Sequence, residues 1–140
     1  MILNTNSLPF PLSRGLRAII LQHIANSFMA CVLSFRHGGI SPEDDGGIQP
    51  VEIAVDTDGS LIYISDFRAV GTPPHHKLVT ETHFDFSRNE ARYLDTVAPL
   101  NREHEMFQAW EHTFVACYRV GSYQVEVLPL LELEEIVSER

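Results

Sequence analysis

The chain has 140 residues, of which 44% are hydrophobic, and its 19 acidic and 10 basic residues give a formal net charge of −9. This length and composition predict a single globular domain with a sizeable core, and they exclude a largely disordered protein. The acidic excess disfavours nucleic-acid binding, because a negative surface repels the phosphate backbone. It is compatible with a basic protein partner.

The apolar stretch at residues 18–35 is interrupted by five polar residues. A membrane span needs about 20 mostly apolar residues, and a secretory signal peptide needs a basic start, which the first residues lack. We therefore expect no membrane association and a cytoplasmic protein. Cys31 and Cys117 lie within apolar runs, which favours free buried thiols over a disulfide.

The first regular element is predicted to be an amphipathic helix from Arg14 to near Ser27, with Ser13 as its N-cap. Residues 28–35 are apolar on both faces, which fits either a continuation of the helix or a buried central strand. The strand-rich sequence that follows favours the strand. Residues 36–50 form the longest predicted loop.

The strongest hairpin signal is Asp58-Gly59 between two runs rich in Val, Ile and Tyr. A two-residue loop there predicts three cross-strand pairs: Thr57–Ser60, Val55–Ile62 and Ile53–Ile64. The buried face would hold five apolar side chains: Val51, Ile53, Val55, Ile62 and Ile64. The other face is mixed, and its predicted pairs include Glu52–Ser65 and Ala54–Tyr63.

The second half of the chain continues with strands and one helix. Residues 78–86 alternate as a strand, and residues 91–97 predict a shorter one. Asn101 is expected to cap a second amphipathic helix that ends near Gly121. Residues 123–127 predict a last strand, which Pro129 should end.

The predicted order is therefore a helix, about five strands, a helix and a strand. Short connections between the strands indicate an antiparallel sheet, so the expected class is α+β with a twisted antiparallel sheet flanked by the two helices. The whole chain, residues 1–140, is expected to be one domain. Its globular core would span residues 12–128, and residues 129–140 would form an acidic tail.

Signatures of catalysis or of a cofactor are missing from the sequence. Asp58-Gly59 lies in a run that resembles the middle of an EF-hand loop, but the positions that need strong acidic ligands hold Ala54 and Ser65. His75-His76 lacks further ligands at metal spacing. No nucleophile elbow, phosphate-binding loop or dinucleotide fingerprint occurs. We therefore expect no metal, no cofactor and no enzymatic activity.

Two functional hypotheses remain. The first is an acidic interaction protein that offers two groups of carboxylates to a basic partner: Glu43, Asp44 and Asp45 in the long loop, and Glu132, Glu134 and Glu135 in the tail. The second is a small-ligand or hydrolytic site lined by Arg36, Asp66, His83 and Asp85. In that set, Asp66 is equally compatible with a structural hydrogen bond from Arg36 at a sheet end.

A set of motifs spread over residues 12–128 resembles an uncharacterised bacterial family. The motifs are Phe35-Arg36, Gly46 to Ile53, Tyr63 to Phe67, Phe84-Asp85-Phe86, and Trp110 with Phe114 and Tyr118. That family is a domain of unknown function carried on mobile and pathogenicity-associated elements of marine and enteric bacteria.

The family is similar in fold to the mitochondrial acidic matrix proteins, also called complement globular-head-binding proteins. The resemblance implies a strongly twisted antiparallel sheet flanked by terminal helices, an acidic surface, and assembly as a homo-oligomer, either a dimer or a ring-shaped trimer. It also implies a non-enzymatic binding protein. It provides no catalytic residues to transfer to this chain.

Overall fold

A computed structural model describes residues 1–37, 48–72, 75 and 77–130 of the chain. Within these ranges the protein has two α-helices and seven strands, in the order α1 (Arg14–Ile24), β1 (Cys31–His37), β2 (Val51–Val55), β3 (Leu61–Val70), β4 (Lys77–Asp85), β5 (Glu90–Tyr93), β6 (Thr96–Pro99), α2 (His104–Arg119) and β7 (Tyr123–Pro129). None of the described helices is both long and apolar enough to cross a membrane.

The described strands form one antiparallel sheet in the order β6-β5-β4-β3-β2-β1-β7. Strands β1 to β6 follow one another as in a meander, and the chain then returns through α2 to place β7 beside β1. Side chains of α1 and α2 share one core with alternate residues of the sheet, so both helices cover the same face. The predicted α+β fold is confirmed.

The change from helix to strand occurs where the sequence loses its helical period. Ser13 caps α1, since its Oγ accepts a hydrogen bond from the Leu16 N–H at 3.1 Å. The helix ends at Ile24 rather than near Ser27, and Phe28 is 95% exposed. Strand β1 begins at Cys31 and is buried on both faces over its first five residues. The strand alternative for this stretch is therefore confirmed from Cys31 onward.

The central hairpin joins β2 to β3, but its loop differs from the two-residue prediction. The Gly59 N–H donates to the carbonyl of Asp56 at 2.9 Å, and the Asp56 N–H donates to that of Ser60 at 2.8 Å. Gly59 has φ +82°, so the loop has three residues and ends in a left-handed glycine.

The longer loop shifts the register next to it. Val55 pairs with Leu61 instead of Ile62, and a bulge between Ala54 and Val55 restores the predicted pair of Ile53 with Ile64. Leu61 consequently occupies the buried position that had been predicted for Ile62.

Two further boundaries differ from prediction. The single strand expected over residues 91–97 is a hairpin of β5 and β6, which turns at Leu94, a residue with φ +55°. Asn101 lies in a short 3-10 helix, Leu100–Arg102, and α2 begins at His104 after it. The Asn101 N–H donates instead to the side chain of Asn89 at 3.1 Å.

The core lies between the helices and the sheet and is rich in aromatic side chains. Phe35, Phe84 and Phe107 are almost fully buried. Along α2, Phe107, Trp110 and Phe114 stack in series, with ring centroids 5.8 and 5.1 Å apart. Cys31 and Cys117 are both free thiols, and burial raises the pKa of Cys31.

Candidate functional site

A row of polar side chains crosses the face of the sheet opposite α1 and α2, which we call the distal face. Successive strand pairs align six residues, one from each strand except β6: Glu126, Ser34, Glu52, Ser65, His83 and Arg92. Their neighbours along each strand point into the helix-covered core, because side chains alternate between the faces. The distal face is therefore polar along this line.

Polar contacts connect two of these side chains, Ser65 and His83, with one neighbour, Asp85. The Ser65 Oγ lies 2.5 Å from Nδ1 of His83, and Nε2 of His83 lies 3.6 Å from a carboxylate oxygen of Asp85. Burial alone would raise the pKa of Asp85, but hydrogen bonds from the Ser87 side chain and the Arg88 N–H, together with His83, outweigh it and lower that pKa. His83 and Asp85 thus share one face of β4, as the alternation of residues 78–86 predicts.

A second contact extends the network toward β2. The Tyr63 hydroxyl donates to Oε2 of Glu52 at 3.4 Å, and its ring lies 5.3 Å from that of His83. Burial, followed by the negative charge of Glu52, raises the pKa of Tyr63 to about 12. The phenol is therefore neutral at physiological pH and acts as a hydrogen-bond donor.

Ser65, His83 and Asp85 include the residue types of a hydrolytic triad, but Ser65 is only 4% exposed. Nucleophilic attack needs an accessible hydroxyl and N–H groups that face the substrate. Here the hydroxyl lies in the middle of a central strand, where the backbone N–H groups are used in pairing with β2 and β4. The arrangement is suited to holding His83 in a fixed orientation.

Asp66 lies on the other side of the sheet. It is 6% exposed, and its Oδ1 accepts a hydrogen bond from the Thr82 N–H at 2.8 Å. Burial raises the pKa of Asp66, while donors on Thr82 and Trp110 oppose this effect. Its carboxylate lines a cleft of about 70 Å³ beside α2.

The four residues of the hydrolytic hypothesis are thus not brought together. Arg36 is exposed on β1, and its Nε donates to the Ser34 Oγ at 3.2 Å rather than to Asp66. Three strand spacings, about 14 Å, separate Arg36 from the strand of His83. Asp66 faces α2, so only His83 and Asp85 form a pair.

The six carboxylates of the acidic hypothesis lie outside the described residues, in segments 38–47 and 131–140. The structure does show where these segments join the fold. Segment 38–47 connects β1 to β2 beyond His37, whereas the tail follows β7 at the opposite end of β1, where the Leu130 N–H donates to the Ala30 carbonyl at 3.0 Å. The length of β1 separates the two attachment points by about 20 Å.

Metal ligands do not converge in the part of the chain that the structure describes: no three His, Cys, Asp or Glu side chains there form a group able to hold an ion. His76 lies outside the described residues. His75 precedes β4 in a turn, where its N–H donates to the Thr72 carbonyl at 2.8 Å.

Two members of the polar network, Tyr63 and Ser65, were not predicted from the sequence. The predicted hairpin had already aligned Glu52 with Ser65, a pair that the structure confirms. The missing information was the register between β3 and β4, which sets Ser65 beside His83. No turn residue between these strands specifies that register.

The comparisons with known proteins agree with this fold. A hypothetical protein, VC0508, from the VSP-II pathogenicity island of Vibrio cholerae has a structure similar to this chain at a TM-score of 0.73, with 23% identity over 89% of this chain and 98% of that one. A conserved hypothetical protein, VC1805, from pathogenicity island VPI-2 of Vibrio cholerae O1 biovar eltor is similar at a TM-score of 0.66, with 28% identity over 86% and 96% of the two chains. VC1805 is described as sharing structural homology with the human P32 protein.

The fold is therefore that of an α+β protein with a P32-like twisted antiparallel sheet. Residues 11–128 match a family described as "Protein of unknown function (DUF2787)". The chain belongs to this family, as the sequence motifs predicted. No protein with a curated description matches the chain in sequence.

Proposed function

We propose that the protein is an acidic, non-enzymatic, homo-oligomeric interaction protein that binds a basic protein partner through segments 38–47 and 131–140. The observation that carries the proposal is the distribution of charge. These two segments of ten residues contain seven of the 19 acidic residues but one of the ten basic residues. They therefore hold six of the nine net negative charges.

The positions of the segments add to this argument. They leave opposite ends of the β1–β7 pair, so the proposed binding surface has two acidic segments whose attachment points are about 20 Å apart. A basic partner that reaches both regions binds through two weak contacts at once, which increases its overall affinity. Long-range attraction between opposite charges also speeds association.

The binding test uses a fluorescein-labelled decalysine peptide as the basic probe, with fluorescence anisotropy as the readout. We expect the affinity to fall steeply between 20 and 200 mM NaCl, because exposed charges are screened over about 10 Å at 0.1 M salt. The triple variants E43Q/D44N/D45N and E132Q/E134Q/E135Q should each weaken binding.

The matched control is D95N/E105Q/E126Q, which removes the same charge from exposed positions elsewhere on the fold. It should weaken binding less than either segment variant. Equal weakening by all three variants, or binding that does not depend on salt, would contradict the proposal.

Assembly is tested separately by light scattering on the purified chain. The P32-like sheet supports an oligomer, and so do the edge strands β6 and β7, because among the described strands each pairs with only one neighbour and a sheet edge is a site for association. We expect a mass of two or three times the 15.8 kDa of one chain. A single-chain mass at every concentration would contradict this part of the proposal.

The absence of catalysis is tested with a fluorophosphonate probe and simple esters. We expect no labelling of Ser65 by the probe, because the hydroxyl is shielded within the sheet. For the same reason, any ester hydrolysis by the protein should be unchanged in the variant Ser65→Ala. Labelling at Ser65 would instead support the hydrolytic hypothesis around His83 and Asp85.

A further inference from the structure

We propose that the cleft beside Asp66 binds an alkylammonium group, in particular the side chain of a lysine on the partner. The cleft lies where α2 packs over β2, β3 and β7 and has a volume of about 70 Å³. Its lining includes Gln49, Asp66, Trp110, Phe114 and Tyr123. This inference rests on the proposed function, which requires a basic partner.

The Asp66 carboxylate provides the negative charge of the site. It is 94% buried, and the groups acting on it include donors on Thr82 and Trp110 and the like-charged Glu81. None of these three residues carries a positive charge. Burying a carboxylate without a cation costs desolvation free energy. An ammonium group in the cleft would offset that cost, which the unbound protein carries.

Aromatic rings provide the walls of the site. The Trp110 and Phe114 rings are stacked with centroids 5.1 Å apart, and the Tyr123 ring lies 5.5 Å from Phe114. Trp110 is also stacked against Phe107, so these rings provide the cleft with a rigid apolar wall. The same walls pack against the methylene groups of a lysine side chain.

The remaining lining groups hold the site open and fix its polar edge. The Tyr123 hydroxyl donates to the Gln49 carbonyl at 3.1 Å, and the Gln49 side chain donates to the carboxylate of Glu81. These bonds tie the chain before β2 to β7 and β4. Ile48, which also lines the cleft, directly follows the segment that carries Glu43, Asp44 and Asp45.

The cleft is large enough for the proposed ligand. Its volume of about 70 Å³ exceeds the roughly 10–15 Å³ that a single water molecule needs, so a primary ammonium and its adjacent methylene fit.

Trp110 is the single tryptophan of the chain, so its fluorescence reports on the cleft directly. The experiment titrates Nα-acetyl-L-lysine amide into the intact protein at constant ionic strength, and compares it with Nα,Nε-diacetyl-L-lysine amide, which lacks the charge. We expect a saturable change in Trp110 fluorescence, with a dissociation constant on the order of millimolar for so small a ligand, for the free amine alone. No saturable change, or the same change with both compounds, would overturn the inference.

The variant Asp66→Asn should abolish the response to the free amine, whereas the control Asp95→Asn, at an exposed turn, should retain it. An unchanged response in Asp66→Asn would also overturn the inference. If Asp66→Asn fails to fold, the comparison of the two lysine compounds on the unmodified protein decides the question alone. Decalysine binding without a lysine response at Trp110 would leave the proposed function standing and refute this site.

Discussion

The Thr82 N–H donates to the Asp66 carboxylate at 2.8 Å across β3 and β4. The register of this strand pair shifts between Asp66 and Phe67, and a bulge of this kind leaves backbone groups without their regular partners. The side chain of Asp66 therefore pairs with a backbone N–H beside the bulge. This structural role places a carboxylate in the core at the edge of the cleft.

The first prediction concerns the pH dependence of stability at Asp66. Burial raises its pKa in the folded state, so the folded protein binds the proton more tightly than the unfolded chain does. The stability from this group is fully present below the unfolded pKa and is lost as pH rises through the folded pKa. Asp66→Asn should lose less stability than the parent protein between pH 4 and pH 7.5, as measured by urea unfolding.

Asp95→Asn is the control for that experiment and should follow the parent curve, because Asp95 is exposed in a turn. Parallel pH profiles for Asp66→Asn and the parent protein would show that Asp66 does not contribute to the pH dependence.

The second prediction concerns the core. Ile53 and Ile64 face one another across β2 and β3 and are both 0% exposed. Replacing either with Asp introduces an unpaired charge into the core and should unfold the domain at 25 °C, which circular dichroism would show. Asp58→Ser and Glu103→Gln change polar positions outside the core and should each leave the midpoint of unfolding nearly unchanged.

The third prediction compares two glycines with similar backbone angles. Gly59 and Gly121 have φ +82° and +80°, but a Cβ on Gly59 would lie 1.9 Å from the Ile2 carbonyl oxygen, whereas nothing lies within 4 Å of one on Gly121. Gly121→Ala should cost about 1 kcal/mol of unfolding free energy for its backbone angle alone.

Gly59→Ala should cost at least about 2 kcal/mol, since the clash adds to the strain and displaces the hydrogen bond of 2.8 Å from the Asn4 N–H to the Gly59 carbonyl. Chemical denaturation of both variants provides the comparison. Equal costs at the two positions would mean that the N-terminal segment does not pack closely against this turn.

The fourth prediction concerns the polar network on the distal face. Ser65→Ala removes the hydrogen bond to Nδ1 of His83 and should destabilise the protein by about 1 kcal/mol. Ser7→Ala at an exposed position should change stability by less than half of that. A neutral effect of Ser65→Ala in urea unfolding would show that the network is not structural.

The sequence predicted those parts of the fold that depend on local pattern. The period of Leu16, Ile19 and Ile20 specified α1, and the alternation of apolar residues around Ile53 and Ile64 specified the buried face of the central hairpin. The apolar run at residues 28–35 fitted either a helix or a central strand, and the strand-rich sequence after it favoured the strand, which the structure shows from Cys31 onward.

The differences arose at turns and in strand register. Leu94 turns the β5–β6 hairpin with φ +55°, and a leucine is not a signal for such a turn. Gly59 is the third residue of a three-residue loop rather than the second of a two-residue loop, which shifted the pair at Val55. The contact of Ser65 with His83 depends on the β3–β4 register, which is fixed by packing across the whole sheet.

Mapping of amide chemical shifts on ¹⁵N-labelled protein tests whether a basic probe binds at the two acidic segments. Decalysine is added in steps at low salt, and the signals of segments 38–47 and 131–140 are compared with those of the sheet and helices. We expect the amide signals to shift most at the six acidic residues of these segments: Glu43, Asp44, Asp45, Glu132, Glu134 and Glu135. At high salt these shift changes should disappear. Shifts confined to other parts of the chain, or no shifts at all, would contradict it.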